Sequence, residues 1–224
     1  MTGVNERLPA VNIVAIALLL ACVAVGVGYL QRARRVRREA FIRSYVFPSS
    51  ILAALTKSHP RISENDQLRV AQALRDFFVV RLRAGGGLIG MPSRVVDDLW
   101  HQFILDTREY ERFCKLAFGG FFHHLPAAAN PPGKRMDAAL RTTWRYACLT
   151  EGIYSPSPTR LPLLFAIDSE LQIENGHSFI NWLFSARRGK NAGDNGGGAA
   201  CGGGDSHGGG CGGHGGCGGG CGGH

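Results

Sequence analysis

The hydrophobic positions divide the chain into an apolar N-terminal run, a central region with helical periodicity and a glycine-rich end. In the central region Leu68, Ala71, Leu74, Phe78 and Leu82 recur at spacings of three and four residues, which is typical of an amphipathic helix. Such spacing places apolar side chains on one face, where a folded domain can bury them. A run of three glycines then predicts the end of this helix.

Capping residues predict where these helices begin. Ser63, with Asp66 at the third helical position, forms a capping-box-like start for the helix just described. Ser93 and Asp106 are expected to cap two more helices, with a break between them at Asp106 and an end at Gly119. Further helical patterns run from near Ser49 to before Pro60 and over "RMDAALRTTWRYACL" to near Gly152, while "LLFAIDSELQI" is a short apolar element of undecided type. Because no alternating strand pairs with hairpin turns occur, the sequence predicts an all-α domain.

The apolar N-terminal run has the composition of a membrane span. No charged residue lies between Leu8 and Gln31, and about 20 helical residues cover the ~30 Å hydrocarbon core of a bilayer. Five arginines follow it: Arg32, Arg34, Arg35, Arg37 and Arg38. The positive-inside rule therefore predicts a single-pass protein of the inner (plasma) membrane, with its N-terminus outside and its main domain in the cytoplasm. A nearly neutral start and a basic end disfavour a cleaved signal peptide.

Composition and charge divide the chain further. Five of the eight net positive charges belong to the arginine cluster, so the basic balance gives no reason to expect a nucleic-acid partner. Most of the excess among the 32 glycines lies beyond Gly189, in a tail that lacks apolar residues able to offset the entropy of ordering and that we therefore expect to be disordered. The predicted organisation is a short segment at 1–10, a transmembrane helix at 11–30, a basic juxtamembrane stretch at 31–39, a helical globular domain at 40–188 and a Gly/Cys/His-rich tail at 189–224.

The stretch "DDLWHQFILDTREYERFC" supplies a candidate metal site in the folded domain. Asp97 and His101 are four residues apart and share a helix face, and a break near Asp106 would allow Cys114 and His124 to join them. Ligands of mixed N, S and O type suit zinc or iron. On the alternative interpretation these residues only cap and pack, since Trp100, Phe103, Ile104, Phe113 and Phe118 are expected core residues.

The tail holds a second set of candidate ligands. Thiols and imidazoles alternate there, separated almost entirely by glycine: Cys201, His207, Cys211, His214, Cys217, Cys221 and His224. Such a tail can wrap zinc, nickel or copper, with low affinity because flexible spacers lose entropy when each loop closes. The alternative is an inert flexible tether.

The quoted motifs also resemble a known family. "MPSRVVDDLWHQFILDTREYERFCKLAFGGFFHHLP", with "TWRYACLTEG" and "RLPLLFAIDSEL", is similar to the bacterial branch of the glycine-rich domain-containing protein-like family. The family pattern falls on Val96 with Asp97 or Asp98, on Trp100-His101, Thr107, Tyr110 and Cys114, and on His124 with Pro126. Leu125 separates His124 from that proline, so His123 is an equal contender. The resemblance implies that these polar residues act together, and it implies no substrate.

These observations favour a non-enzymatic, membrane-anchored helical module that binds a metal ion or a protein partner. The expected partners are the lipid bilayer and a protein, and the sequence identifies no small-molecule substrate. Two alternatives stay open. One is a metal- or thiol-dependent enzyme that uses His101, Cys114 and His124. The other is a purely structural adaptor near the membrane.

Overall fold

The structure is a computed structural model that describes residues 7–124 and 134–181. Within these ranges it contains seven helices and no strand, which confirms the all-α prediction. The helices are α1 (Arg7–Ser44), α2 (Ser49–Ser58), α3 (Glu64–Arg83), α4 (Arg94–Leu105), α5 (Thr107–Ala117), α6 (Lys134–Thr150) and α7 (Leu163–Glu170). The tail at 189–224 and its candidate ligands lie outside the described residues.

Helix α1 joins the apolar run to the folded domain without a break. Its part from Ala15 to Ser44 is long and apolar enough to cross a membrane, although a signal sequence near an N-terminus meets the same criteria. The basic stretch at 31–39 belongs to this same helix, so no loop marks the expected domain boundary at residue 40. The last turn of α1 enters the core instead, where Ile42 is fully buried.

The predicted helix caps are present. Ser63 and Asp66 form a reciprocal capping box at the start of α3. The Ser93 hydroxyl accepts a hydrogen bond from the Val96 N–H at the start of α4. The Asp106 carboxylate accepts one from the Glu109 N–H at the start of α5. Each cap satisfies a backbone donor that the first turn of a helix leaves without a partner.

Helix α3 is the centre of the domain and packs against α1, α4, α6 and α7. Its Phe77 and Phe78 are buried within an aromatic core, in which Trp100, Phe103 and Phe113 are buried as expected, while Ile104 and Phe118 are only partly covered. The element of undecided type becomes α7, a helix that buries Leu164, Phe165 and Ile167. Burial of these large side chains is the main stabilising contribution to the fold.

One buried acid on α3 makes a testable contribution to stability. Burial raises the pKa of Asp76 to about 6, and the negative charge of Glu151 adds to this rise against a hydrogen bond from Gln72. The folded state therefore holds the proton of the Asp76 carboxyl group more tightly than the unfolded chain does, because an aspartate in an unfolded chain has a pKa of ~3.9. Between these two pKa values the folded state binds more protons, so its stability relative to the unfolded state falls as pH rises.

We therefore expect Asp76→Asn to stabilise the protein at pH 8 by an amount on the order of 2 kcal/mol, and to change stability little at pH 3.5. Urea unfolding of both proteins across this range measures the difference. A difference in unfolding free energy between the two proteins that does not change with pH would contradict the raised pKa of Asp76.

Candidate metal site

Helix α4 supplies the first two members of the site. His101 Nδ1 lies 3.6 Å from Asp97 Oδ2, as expected for a pair four residues apart on one helix face. The neighbouring Asp98 does not join this pair. Its Oδ2 lies 2.9 Å from His59 Nε2, in the loop after α2. The two adjacent aspartates of α4 therefore have different imidazole partners.

His124 completes a compact group. Its Nε2 lies 3.0 Å from Asp97 Oδ1, and the centres of the His101 and His124 rings are 4.3 Å apart. One ligand atom from each of Asp97, His101 and His124 lies within 4.8 Å of the others. The two carboxylate oxygens of Asp97 thus face one imidazole each. Such a group could supply two nitrogen ligands and one oxygen ligand to a single metal ion.

The structure distinguishes the two adjacent histidines, which the sequence left as equal contenders. The ring centre of His123 lies 4.8 Å from that of Phe121, and both residues line the same cavity as His124. His123 is not a member of the three-residue group. The His124 ring packs against Trp100 in a T-shaped arrangement, with 4.6 Å between the ring centres.

Cys114 requires a correction. The expected break at Asp106 is present, because α4 ends at Leu105 and α5 begins at Thr107. The break does not bring the thiol to His101, since among the described residues the group within 4.8 Å contains only Asp97, His101 and His124. Cys114 is fully buried, because α5 turns the face that carries Tyr110 and Phe113 into the core.

Burial also makes both domain thiols weak nucleophiles. It raises the pKa of Cys114, and it raises the pKa of Cys148 to about 11. A reactive cysteine normally sits in a partly exposed, electropositive environment that lowers its pKa. The thiol-dependent alternative therefore lacks its chemical basis at these two positions.

Cys114 instead belongs to a network that positions His124. The Trp100 indole N–H donates to the Tyr110 hydroxyl at 3.2 Å, and that hydroxyl donates to the carbonyl oxygen of Phe122 at 2.5 Å. Cys114 lies beside this group, since interactions with the Phe122 backbone and the Tyr110 side chain partly offset the rise that burial causes in its pKa. The Phe122 ring stacks on Trp100, with 5.0 Å between ring centres. These contacts hold the segment at 121–124 against α4, which brings His124 to Asp97.

A second buried carboxylate fixes the start of α4. Asp168 on α7 is 3% exposed and accepts hydrogen bonds from the Ser93 hydroxyl and the Arg94 N–H, both at 2.7 Å. It also accepts from the Val95 and His177 N–H groups, at 3.3 and 2.9 Å. A negative charge at a helix N-terminus is favourable because the helix dipole is positive there. Asp168 therefore fixes the turn that precedes Asp97.

A cavity of about 1070 Å³ lies beside the three-residue group, and Asp97, Trp100 and His124 form part of its wall. Arg81, Arg94 and His177 also line it. Sequence patterns alone did not select these three residues, nor His59 and Asp168. The signal for Asp168 was its position directly after the apolar residues 163–167.

Comparisons with known proteins give one match. A family model described as UCP032817-like matches residues 37–203, about three quarters of the chain. The match begins in α1 beyond its apolar part and includes the whole domain. No curated protein and no solved structure matches the chain.

Proposed function

The chain belongs to the UCP032817-like family, and we propose that its helical domain is a membrane-anchored module that binds one zinc or iron ion through Asp97, His101 and His124. The observation that carries this proposal is the approach of three ligand atoms to within 4.8 Å of one another. Two imidazoles and one carboxylate are ligands that both metals accept.

The surroundings of the group support binding. The carboxylate of Asp97 already holds His124 Nε2 at 3.0 Å, and Trp100 packs against the same ring, so a ligand is oriented before a metal arrives. Orientation of this kind lowers the entropy lost on binding. Asp97 and His101 come from adjacent turns of one rigid helix, which keeps their spacing fixed.

The anchor is the second part of the proposal. The apolar part of α1 crosses the membrane, and the arginines that follow keep the domain on the cytoplasmic side. A reporter fused after Arg188 is expected to be active only when it functions in the cytoplasm. Activity of a reporter that works only in an exported compartment would contradict this orientation.

Metal-dependent catalysis is the second candidate function, and the adjacent cavity of about 1070 Å³ favours it. Three protein ligands leave coordination positions open, as in catalytic rather than structural metal sites. A bound metal can polarise a carbonyl or phosphoryl group or lower the pKa of a bound water. Arg81 and Arg94 line that cavity together with Asp97 and Asp98, so groups of either charge on a substrate would find a partner there.

Metal content tests the proposal. A chain that ends at Arg188, purified and dialysed against zinc or iron(II), should retain about one ion per molecule. The full chain should retain additional, weakly held zinc, nickel or copper, because its tail carries four more cysteines and three more histidines. A shortened chain that is folded but free of metal would contradict the domain site and leave the tail as a separate prediction.

The network around Phe122 gives a further prediction. Tyr110→Phe removes the hydroxyl that joins Trp100 to the Phe122 carbonyl, so the segment carrying His124 should loosen. We expect metal affinity to fall about tenfold, as for other residues that orient a ligand without touching the metal. Competition with a chelator of known affinity measures this change. Affinity equal to that of the unaltered protein would show that Tyr110 does not position His124.

A further inference from the structure

A second cavity, of about 750 Å³, lies where α1 leaves its apolar stretch and meets the end of α3. Arg32, Arg34, Arg35 and Arg38 of α1 line it together with Arg81 of α3. No acidic residue of the described part of the chain lies in its wall. The acid that follows in sequence, Glu39, pairs with Arg43 and Arg83 instead.

The fold holds Arg35 and Arg81 in place, and Arg38 lies against one of its glycines. Arg35 donates to the carbonyl oxygens of Leu82 and Arg83, at 3.3 and 3.1 Å, in the last turn of α3. The Arg81 guanidinium lies over the Phe122 ring, 4.8 Å from its centre. Arg38 lies against Gly119, where a Cβ would overlap its guanidinium. Glycine is required there, because its φ of +81° is also unfavourable for other residues.

The positive-inside rule accounts for arginines near a membrane span, but not for this arrangement. Topology depends on the number of charges in a flanking segment and not on the cavity that they face. Arg81 lies on a different helix, more than forty residues further along the chain. Five guanidinium groups around one cavity without a carboxylate form a site for an anion, and phosphate oxygens suit their forked donors.

The position of the cavity beside the apolar part of α1 indicates which kind of molecule would carry that phosphate. Gly28, within the apolar run, lines one end of the cavity. The large apolar side chains on either side of Gly28, from Ile16 to Leu30, are exposed to the surroundings of the helix. A ligand seated here would have a phosphate among the arginines and acyl chains along apolar α1. The cavity volume of about 750 Å³ is typical of pockets that bind drug-sized molecules. It is larger than the volume that an inorganic ion occupies.

We propose that this cavity binds the phosphate headgroup of an anionic glycerophospholipid from the leaflet beside the domain. The inference rests on the membrane-anchor part of the proposed function and is independent of the metal site. Anionic lipids attract juxtamembrane arginines in general. A phosphate in this cavity would also accept charge-assisted hydrogen bonds from Arg38 and Arg81, which a diffuse surface charge does not provide.

Native mass spectrometry of the full chain in neutral detergent micelles tests this inference. Added phosphatidylglycerol should be retained in preference to phosphatidylcholine. Arg38→Gln and Arg81→Gln should each weaken retention about tenfold, the usual effect of losing a hydrogen bond to a charged group. The matched control is Arg37→Gln, which removes one charge from the same cluster at a residue that does not line the cavity. It should change retention less than twofold.

Three outcomes would overturn the inference. Equal weakening by Arg37→Gln and Arg38→Gln would indicate attraction to the basic cluster as a whole. Displacement of the lipid by an equal concentration of inorganic phosphate would assign the site to a free anion. The inference would also be wrong if a chain with an unchanged helical circular dichroism spectrum retained phosphatidylglycerol and phosphatidylcholine equally. Because the assay uses micelles, it does not depend on the orientation that the reporter fusion tests.

Discussion

His124→Ala should reduce the zinc affinity of the domain by about a hundredfold or more, while His123→Ala should leave it within about twofold. His124 approaches Asp97 at 3.0 Å and is one of three grouped ligands, whereas His123 lies against Phe121. Loss of a residue that only orients a ligand already costs 10- to 100-fold, so loss of a ligand should reach at least the upper value. Calorimetric titration of the chain ending at Arg188 measures both affinities.

Asp97→Asn provides a second variant with the same expectation. It keeps the size of the side chain and weakens its ability to hold a cation between the two imidazoles. Equal zinc affinity for the His123→Ala and His124→Ala proteins would show that the grouping of His101 and His124 with Asp97 is only a hydrogen-bonded contact.

Asp168→Ala should cost the largest amount of folding stability, about 3 kcal/mol or more. The buried carboxylate accepts hydrogen bonds from Ser93, Arg94, Val95 and His177. Alanine would leave these donors buried without an acceptor, and each such group costs about 1–3 kcal/mol. Urea unfolding, followed by circular dichroism, measures the loss.

Glu170→Ala is the matched control, since Glu170 lies on the same helix and pairs with Arg69 at the surface. An exposed ion pair contributes at most about 1 kcal/mol, so this variant should remain close to the unaltered protein. Similar losses for the two variants would contradict the assignment of Asp168 as the anchor of α4.

Local signals in the sequence were sufficient to predict most of the helices and the part of the site that lies on α4. Capping residues at Ser63, Ser93 and Asp106 mark helix starts because they satisfy donors within the same turn. The pairing of Asp97 with His101 follows from helical spacing alone. Both are short-range consequences of helix geometry, so no knowledge of the tertiary fold was needed.

The remaining parts depend on contacts that sequence spacing does not encode. The break at Asp106 was predicted, but the direction in which α5 leaves it is set by burial of Tyr110 and Phe113, and this carries Cys114 into the core. The choice between His123 and His124 depends on how Trp100 and Phe122 pack. The short apolar run of α7 has too few residues for its periodicity to distinguish helix from strand.

The family resemblance and metal binding by the tail are among the expectations from the sequence that stay predictions. The family match carries a different description from the glycine-rich domain-containing protein-like family, so that resemblance is untested. The match reaches residue 203 and so includes Cys201, but the other tail ligands lie beyond it and the whole tail lies outside the described residues. Metal binding by the tail is therefore separate from the folded site and needs its own measurement.

X-ray absorption spectroscopy of the zinc-loaded chain ending at Arg188 tests the central claim most directly. The account predicts a first shell of nitrogen and oxygen only, with the scattering pattern of two imidazoles and with Zn–N distances of about 2.0–2.1 Å. A sulfur neighbour at about 2.3 Å would place Cys22, Cys114 or Cys148 at the metal, and a shell without imidazole would remove both histidines, so either result would contradict the Asp97, His101 and His124 site.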